Sequence, residues 1–165
     1  MAFYTKLEGP ALDAWRATQR ILVARAMKEL KLGRDEIVVR DLIPQDLGLS
    51  TPVFTFNISS TGWNTIINEK TVADNRFISI NGILLGESGT SVVTQLKVTR
   101  AGQDVRYWHI QDINYMESPI VYFDDPVTVD QNTTITIKAY ATATDSEWRC
   151  TFLGKVVERK GLLVV

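Results

Sequence analysis

Asn132-Thr133-Thr134-Ile135-Thr136-Ile137-Lys138-Ala139-Tyr140-Ala141 and Glu147-Trp148-Arg149-Cys150-Thr151-Phe152-Leu153-Gly154-Lys155-Val156-Val157 decide the fold class. In the first segment Ile135, Ile137 and Ala139 alternate with Thr134, Thr136 and Lys138. In the second, Trp148, Cys150 and Phe152 alternate with Glu147, Arg149 and Thr151. A period of two marks strands with one dry and one wet face. The turn-prone Thr142-Ala143-Thr144-Asp145-Ser146 between them predicts a hairpin. A lone hairpin does not stay folded in water, so other strands must cover its apolar side.

Working outward, Val53–Ser59 alternates with Phe54, Phe56 and Ile58 on one side, and Thr61-Gly62-Trp63-Asn64 reads as a turn before a short apolar piece at Thr65–Ile67. Asn75–Leu85 is a longer strand whose Asn81-Gly82 marks a tight turn or a bulge. Ser91–Arg100 and Val105–Ile110 flank the hairpin turn Ala101-Gly102-Gln103-Asp104. Pro119–Phe123 is separated by the turn Asp124-Asp125-Pro126 from Val127-Thr128-Val129. About nine short alternating strands with no intervening helices predict a mainly β chain. The expected architecture is an antiparallel two-sheet β-sandwich of jelly-roll type.

The N-terminal part differs. From Gly9-Pro10 onward, Ala11–Leu32 contains strong helix formers, and Gly33 is placed to end the helix in a left-handed conformation. Leu12, Trp15, Leu22, Ala26 and Leu30 form an apolar stripe, with Arg16, Arg20, Arg25 and Lys28 among the basic residues. The domain reading is a helical arm at 1–34, a connector with strand character at 35–51, and a sandwich at 52–165. Net charge is +4 over residues 1–34 and −5 over the remainder. That asymmetry assigns the helix an electrostatic task, on a partner or on the acidic body of its own subunit.

Composition narrows the function classes. At 45% apolar and 22% charged residues the chain is a folded globular type, and no apolar run approaches the length that spans a bilayer. Met1–Glu8 has no basic and apolar segments of a secretory signal. One cysteine excludes an internal disulfide, and His109 with Cys150 cannot make a zinc site of nitrogen and sulfur ligands. Cys150, between Trp148 and Phe152, reads as a buried inert thiol. Phosphate-loop, nucleophile-elbow and His-Glu-x-x-His motifs are absent, so no catalytic, cofactor-binding or metal-binding residue is assigned. Asp124, Asp125 and Asp130 offer oxygen ligands, but their spacing matches no standard calcium loop and a turn role suits them better.

Two surfaces remain as candidates. The first is the helix: Leu12, Trp15, Arg16, Arg20, Leu22, Arg25, Ala26, Lys28 and Leu30 are expected to bind a protein partner. Nucleic acid is disfavoured, because the cations surround an apolar stripe and no DNA-reading motif accompanies them. A membrane surface is disfavoured by the acidic body. The second is a ligand-stacking surface of exposed aromatics, with Trp63 and Trp108 as candidates for a carbohydrate-binding module.

Pro126–Ala141 and Phe152–Arg159, following a helical arm, resemble the late strands of bacteriophage and viral capsid-associated β-sandwich proteins. The resemblance is one of style over roughly residues 50–158, and it carries over no site residue. It implies a non-enzymatic virion component made in a host cytoplasm: a capsid decoration (cement) or minor capsid protein. Such a protein would form a homo-oligomer, a trimer being favoured, and bind the major capsid protein or other virion proteins. On this reading, deleting residues 1–34 leaves a folded β domain that no longer joins its assembly.

Overall fold

The computed structural model describes residues 3–86, 91–114 and 119–162. Among them are ten strands: β1 (Phe3–Tyr4), β2 (Ile37–Asp41), β3 (Thr55–Ile58), β4 (Gly62–Thr71), β5 (Arg76–Leu85), β6 (Val93–Arg100), β7 (Gln103–His109), β8 (Ile120–Val129), β9 (Thr134–Ala141) and β10 (Asp145–Arg159). Two helices accompany them, α1 (Pro10–Leu30) and the short α2 (Ile110–Asn114).

Counted from β3, the first strand pairs with the eighth (β3–β10), the second with the seventh (β4–β9), the third with the sixth (β5–β8) and the fourth with the fifth (β6–β7). One long antiparallel ribbon rolled up on itself produces this pairing, which is the jelly roll. Its two sheets run β1-β8-β5-β10-β2, with β3 also on β10, and β4-β9-β6-β7. Their inner faces share one core that includes Phe56, Ile80, Leu96, Trp108, Ile137 and Phe152.

This topology corrects the expected hairpin. β9 pairs with β4 and β6, whereas β10 pairs with β5, β2 and β3, so the 142–144 link crosses between sheets. Ile135, Ile137 and Ala139 still share the core with Trp148, Cys150 and Phe152. Alternation shows which face is buried and leaves open which strand lies alongside.

Other departures have local causes. Residues 62–64 open β4 instead of forming a turn: Gly62 takes φ 87°, and the buried Asn64 amide donates to the carbonyls of Ser60 and Gly62. Asp124-Asp125-Pro126 lies within β8, where 123–126 bulge opposite Asn81 between the pairs Ile80–Val127 and Gly82–Tyr122. Asn81-Gly82 is correspondingly a bulge. A Cβ on Gly82 would meet the Val121 carbonyl oxygen at 2.5 Å, so the bulge depends on glycine. At the β6–β7 turn, Ala101 (φ 50°) and Gly102 (φ 77°) are both left-handed, as a tight primed turn requires.

Helix α1 begins with Pro10 at its first position and stops at Leu30; Lys31, not Gly33, adopts the left-handed conformation (φ 55°). The reason is packing: the chain turns early, and Leu32 folds back onto a second cluster formed by Leu22, Ala26, Ile37, Phe77 and Val157. This cluster lies between α1 and the outer face of the larger sheet. Phe77 through Ile83 is consequently an unbroken buried run, because β5 is covered on both sides. Near the C-terminal end of the described residues, Leu162 is half-buried and its carbonyl accepts from Arg76.

Candidate functional site

The helix stripe is spent within the chain. Leu22 and Ala26 are wholly buried against the chain's own sheet, which removes them from any surface offered to a partner. Leu30 is half-buried in the same contact, Leu12 is half-buried, and Trp15 packs edge-on to Tyr122 at 5.8 Å. Arg25 is also taken: its guanidinium pairs with Asp130 at 2.6 Å, anchoring the helix to the end of β8. The arm therefore rests on its own acidic body through this pair.

What α1 leaves outward is narrower than its sequence implies. Arg16, Arg20 and Lys28 are exposed, and none has an ion-pair partner among the described residues. Arg16 and Arg20 border a groove of about 360 Å³ between α1 and β2, with Val23, Met27 and Val39 as apolar walls and Arg34 across from them. Arg34 joins through the fold alone, its guanidinium donating to the Ile37 carbonyl. The groove combines apolar surface with three arginines, a pattern that suits an acidic, partly apolar segment.

The second candidate surface is the outer face of the smaller sheet, and one expected member is missing from it. Trp108 is wholly buried, stacked on Phe123 at 5.0 Å, so it belongs to the core and cannot stack on a ligand. Trp63 is 43% exposed and stands beside residues the sequence did not single out. Trp63 pairs in register with Tyr140, and their rings meet edge to face at 5.3 Å. Lys97 and Lys138 pair in register on neighbouring strands, as do Lys97 and Tyr107. The Lys97 ammonium lies 5.1 Å from the Trp63 ring centre and 3.9 Å from the Asp104 carboxylate, joining strands β4, β6 and β7 into one patch. Asp104 accepts from the Thr99 hydroxyl at 2.9 Å and from the Tyr107 phenol at 3.1 Å. Those bonds, with Lys97, hold the Asp104 carboxyl below its ordinary value, while partial desolvation and the bond to Asp104 raise the Tyr107 phenol.

Elsewhere several titratable groups serve the fold. Asp125 pairs with Arg106 and Asp130 with Arg25, so two of the three aspartates considered as cation ligands are held by arginines. Among the described residues no three His, Cys, Asp or Glu side chains converge to hold a metal ion. Cys150 is wholly buried, and burial pushes its thiol far above the ordinary value. His109 is exposed at the end of β7. A network no local pattern could reveal links Arg40 to Asp46 and Glu158, with Arg76 also on Glu158, and ties both ends of the chain together.

No helix among the described residues is long and apolar enough to cross a membrane. The chain matches no known protein-family model, no characterised protein by sequence and no solved structure.

Proposed function

We propose that this protein is a non-enzymatic assembly subunit of a virion shell, a decoration (cement) or minor capsid protein that self-associates and binds neighbouring shell proteins. The observation carrying this reading is the α1–β2 groove, where Arg16 and Arg20 stand without ion-pair partners beside the apolar side chains of Val23, Met27 and Val39. Most other arginines of the fold are engaged: Arg25, Arg40, Arg76 and Arg106 with carboxylates, Arg100 with the Thr128 carbonyl. An acidic segment of a neighbouring subunit, carrying apolar residues for the groove, would pair with these arginines as it buries that surface. The eight-stranded jelly roll adds support by analogy only, since the architecture serves shell subunits, lectins and small-molecule enzymes alike.

The packing of α1 changes how the reading must be tested. Deleting residues 1–34 would bare Phe77 and Val157, which α1 covers, so the truncated chain would be destabilised for reasons unrelated to assembly. The clean perturbation is Arg16→Glu with Arg20→Glu, both on exposed positions. The native protein is expected to run as a homo-oligomer, a trimer on the favoured reading, and to co-purify with its shell partner in light-scattering and pull-down measurements. The charge-reversed protein, folded by circular dichroism, should lose the partner. Unchanged partner retention at low salt would refute the groove as the docking site, and a monomer with no shell partner would refute the assembly reading itself.

A further inference from the structure

The outer face of the β4-β9-β6-β7 sheet bears three of the six large apolar or aromatic side chains exposed among the described residues: Trp63 (43%), Tyr107 (46%) and Tyr140 (37%). Helix α1 lies on the other sheet, so its docking does nothing to cover them. Their placement is regular. Trp63, Tyr140, Gln95 and His109 occupy one row across the four strands, and Thr65, Lys138, Lys97 and Tyr107 occupy the adjacent row. At about 4.8 Å between strands the rows span roughly 14 Å, the length of about three sugar rings.

Charge on this face runs against the rest of the domain. The body is acidic, at −5 over residues 35–165, yet here Lys97 and Lys138 stand directly opposite each other on adjacent strands. Like charges so placed repel and destabilise a strand pair. Asp104 offsets only part of that charge, and Lys97 is shared between its carboxylate and the Trp63 ring. Trp63 is thereby held by Tyr140 and Lys97 before any ligand arrives, which lowers the ordering cost of stacking on it.

We propose that this face binds a short acidic oligosaccharide, a sugar chain carrying a carboxylate or sulfate group. The apolar face of one sugar ring stacks on Trp63 or Tyr140, and the anionic group pairs with Lys138 and Lys97. Single-stranded nucleic acid uses a similar mixture of rings and cations. A dense polyanion, however, draws on many cations at once and would meet the acidic body, whereas one or two charges on a sugar need only the two lysines. This site lies on the sheet opposite the α1–β2 groove and is independent of the assembly reading.

The test titrates the full-length protein by calorimetry and by nuclear magnetic resonance with 3′-sialyllactose, an oligogalacturonate and a sulfated disaccharide. Each is run beside its neutral parent, with octauridylate as the nucleic-acid probe. At least one acidic sugar is expected to bind saturably, more tightly than its neutral parent, with shifts confined to these four strands. Trp63→Ala should weaken that binding at least about tenfold, the loss of roughly 1.4 kcal/mol of contact. Lys138→Ala should reduce the preference for the acidic sugar, and Lys97→Ala combined with it should erase that preference. The proposal is overturned if no acidic sugar binds at millimolar concentration, if neutral parents bind as well, or if octauridylate binds more tightly. It is likewise overturned if Trp63→Ala lowers the native mass, since a second copy of the chain would then occupy the face.

Discussion

Replacing Arg40 with methionine tests the network that holds the N-terminal connector to the jelly roll. Arg40 donates to Asp46 through two nitrogens (2.8 and 2.7 Å) and to Glu158 through two bonds (2.9 and 3.2 Å). The Asp46 and Glu158 side chains are only 3% and 2% exposed, so both carboxylates depend on protein partners instead of water. In the variant, Glu158 keeps Arg76 at 3.0 Å, but among the described residues Asp46 is left with only the Ile43 backbone N–H at 2.9 Å. Removing one partner of a buried ion pair costs about 3–5 kcal/mol, because the desolvated charge stays behind. At roughly 2–4 °C per kcal/mol for a domain of this size, the midpoint should fall by roughly 10 °C.

Thermal melting by far-UV circular dichroism reads the midpoint in °C, and urea denaturation followed by tryptophan fluorescence and by circular dichroism reads the free energy and establishes that the two transitions coincide. A second variant separates the desolvated charge from simple loss of packing. Adding Asp46→Asn to Arg40→Met removes the stranded charge, so the pair should be more stable than Arg40→Met alone. Arg40→Lys should rescue poorly, since one ammonium cannot reproduce the two-sided fork. A loss below about 1 kcal/mol, the range of exposed ion pairs, would refute the buried-charge argument. So would a double variant no more stable than the single one.

Gly154→Ala should prevent native folding or destabilise it by more than about 3 kcal/mol, because its Cβ would collide with the Ser79 backbone carbonyl at the register shift where β10 pairs with β5; yield of soluble protein and urea midpoint report it. Cys150 should resist a thiol-specific chromogenic reagent in the native state and react fully in urea, since burial keeps the thiol protonated; reaction at the rate of free cysteine would contradict its place in the core. The same burial sets a sign on pH dependence: above the ordinary thiol value of 9.0 the unfolded state loses a proton that the folded state retains. Stability should then fall by up to about 1.4 kcal/mol per pH unit more steeply than in Cys150→Ala, as paired denaturation curves would show.

The sequence reveals most where one face of a strand is wet. Phe54–Ser59, Gln95–Thr99 and Thr134–Ala139 alternate polar with apolar residues, and their inward residues Phe56, Leu96 and Ile137 all lie in the core. It reveals less where that contrast fails. Val105–Ile110 places Trp108 between Tyr107 and His109, all of them large, so nothing local shows that the tryptophan turns in and its neighbours out. Turn formers mislead at both ends of the roll: Gly62 and Asn64 open a strand, and Asp124-Asp125-Pro126 bulges inside one. The candidate surfaces were legible in part. Trp63, Arg16 and Arg20 are read correctly as outward, while Tyr140, Tyr107, Lys138 and Arg34 become neighbours only through strand register and helix docking. Arg40 and Glu158 are 118 positions apart, beyond any local pattern.

The helix explains why the two sheets differ. Phe77 and Val157 point out of the core from strands β5 and β10, and uncovered they would form an apolar patch on the larger sheet. Leu22 and Ala26 cover that patch, and Arg25 fixes the helix to Asp130 at 2.6 Å. The amphipathic stripe is therefore a structural part of the jelly roll, and it is the polar flank of α1, with Arg16 and Arg20, that faces the groove. The smaller sheet has polar and aromatic side chains where the larger one has Phe77 and Val157, so it stays folded without a cover. A face that needs no cover for stability yet retains opposed lysines and exposed rings carries a local cost that the fold alone does not require.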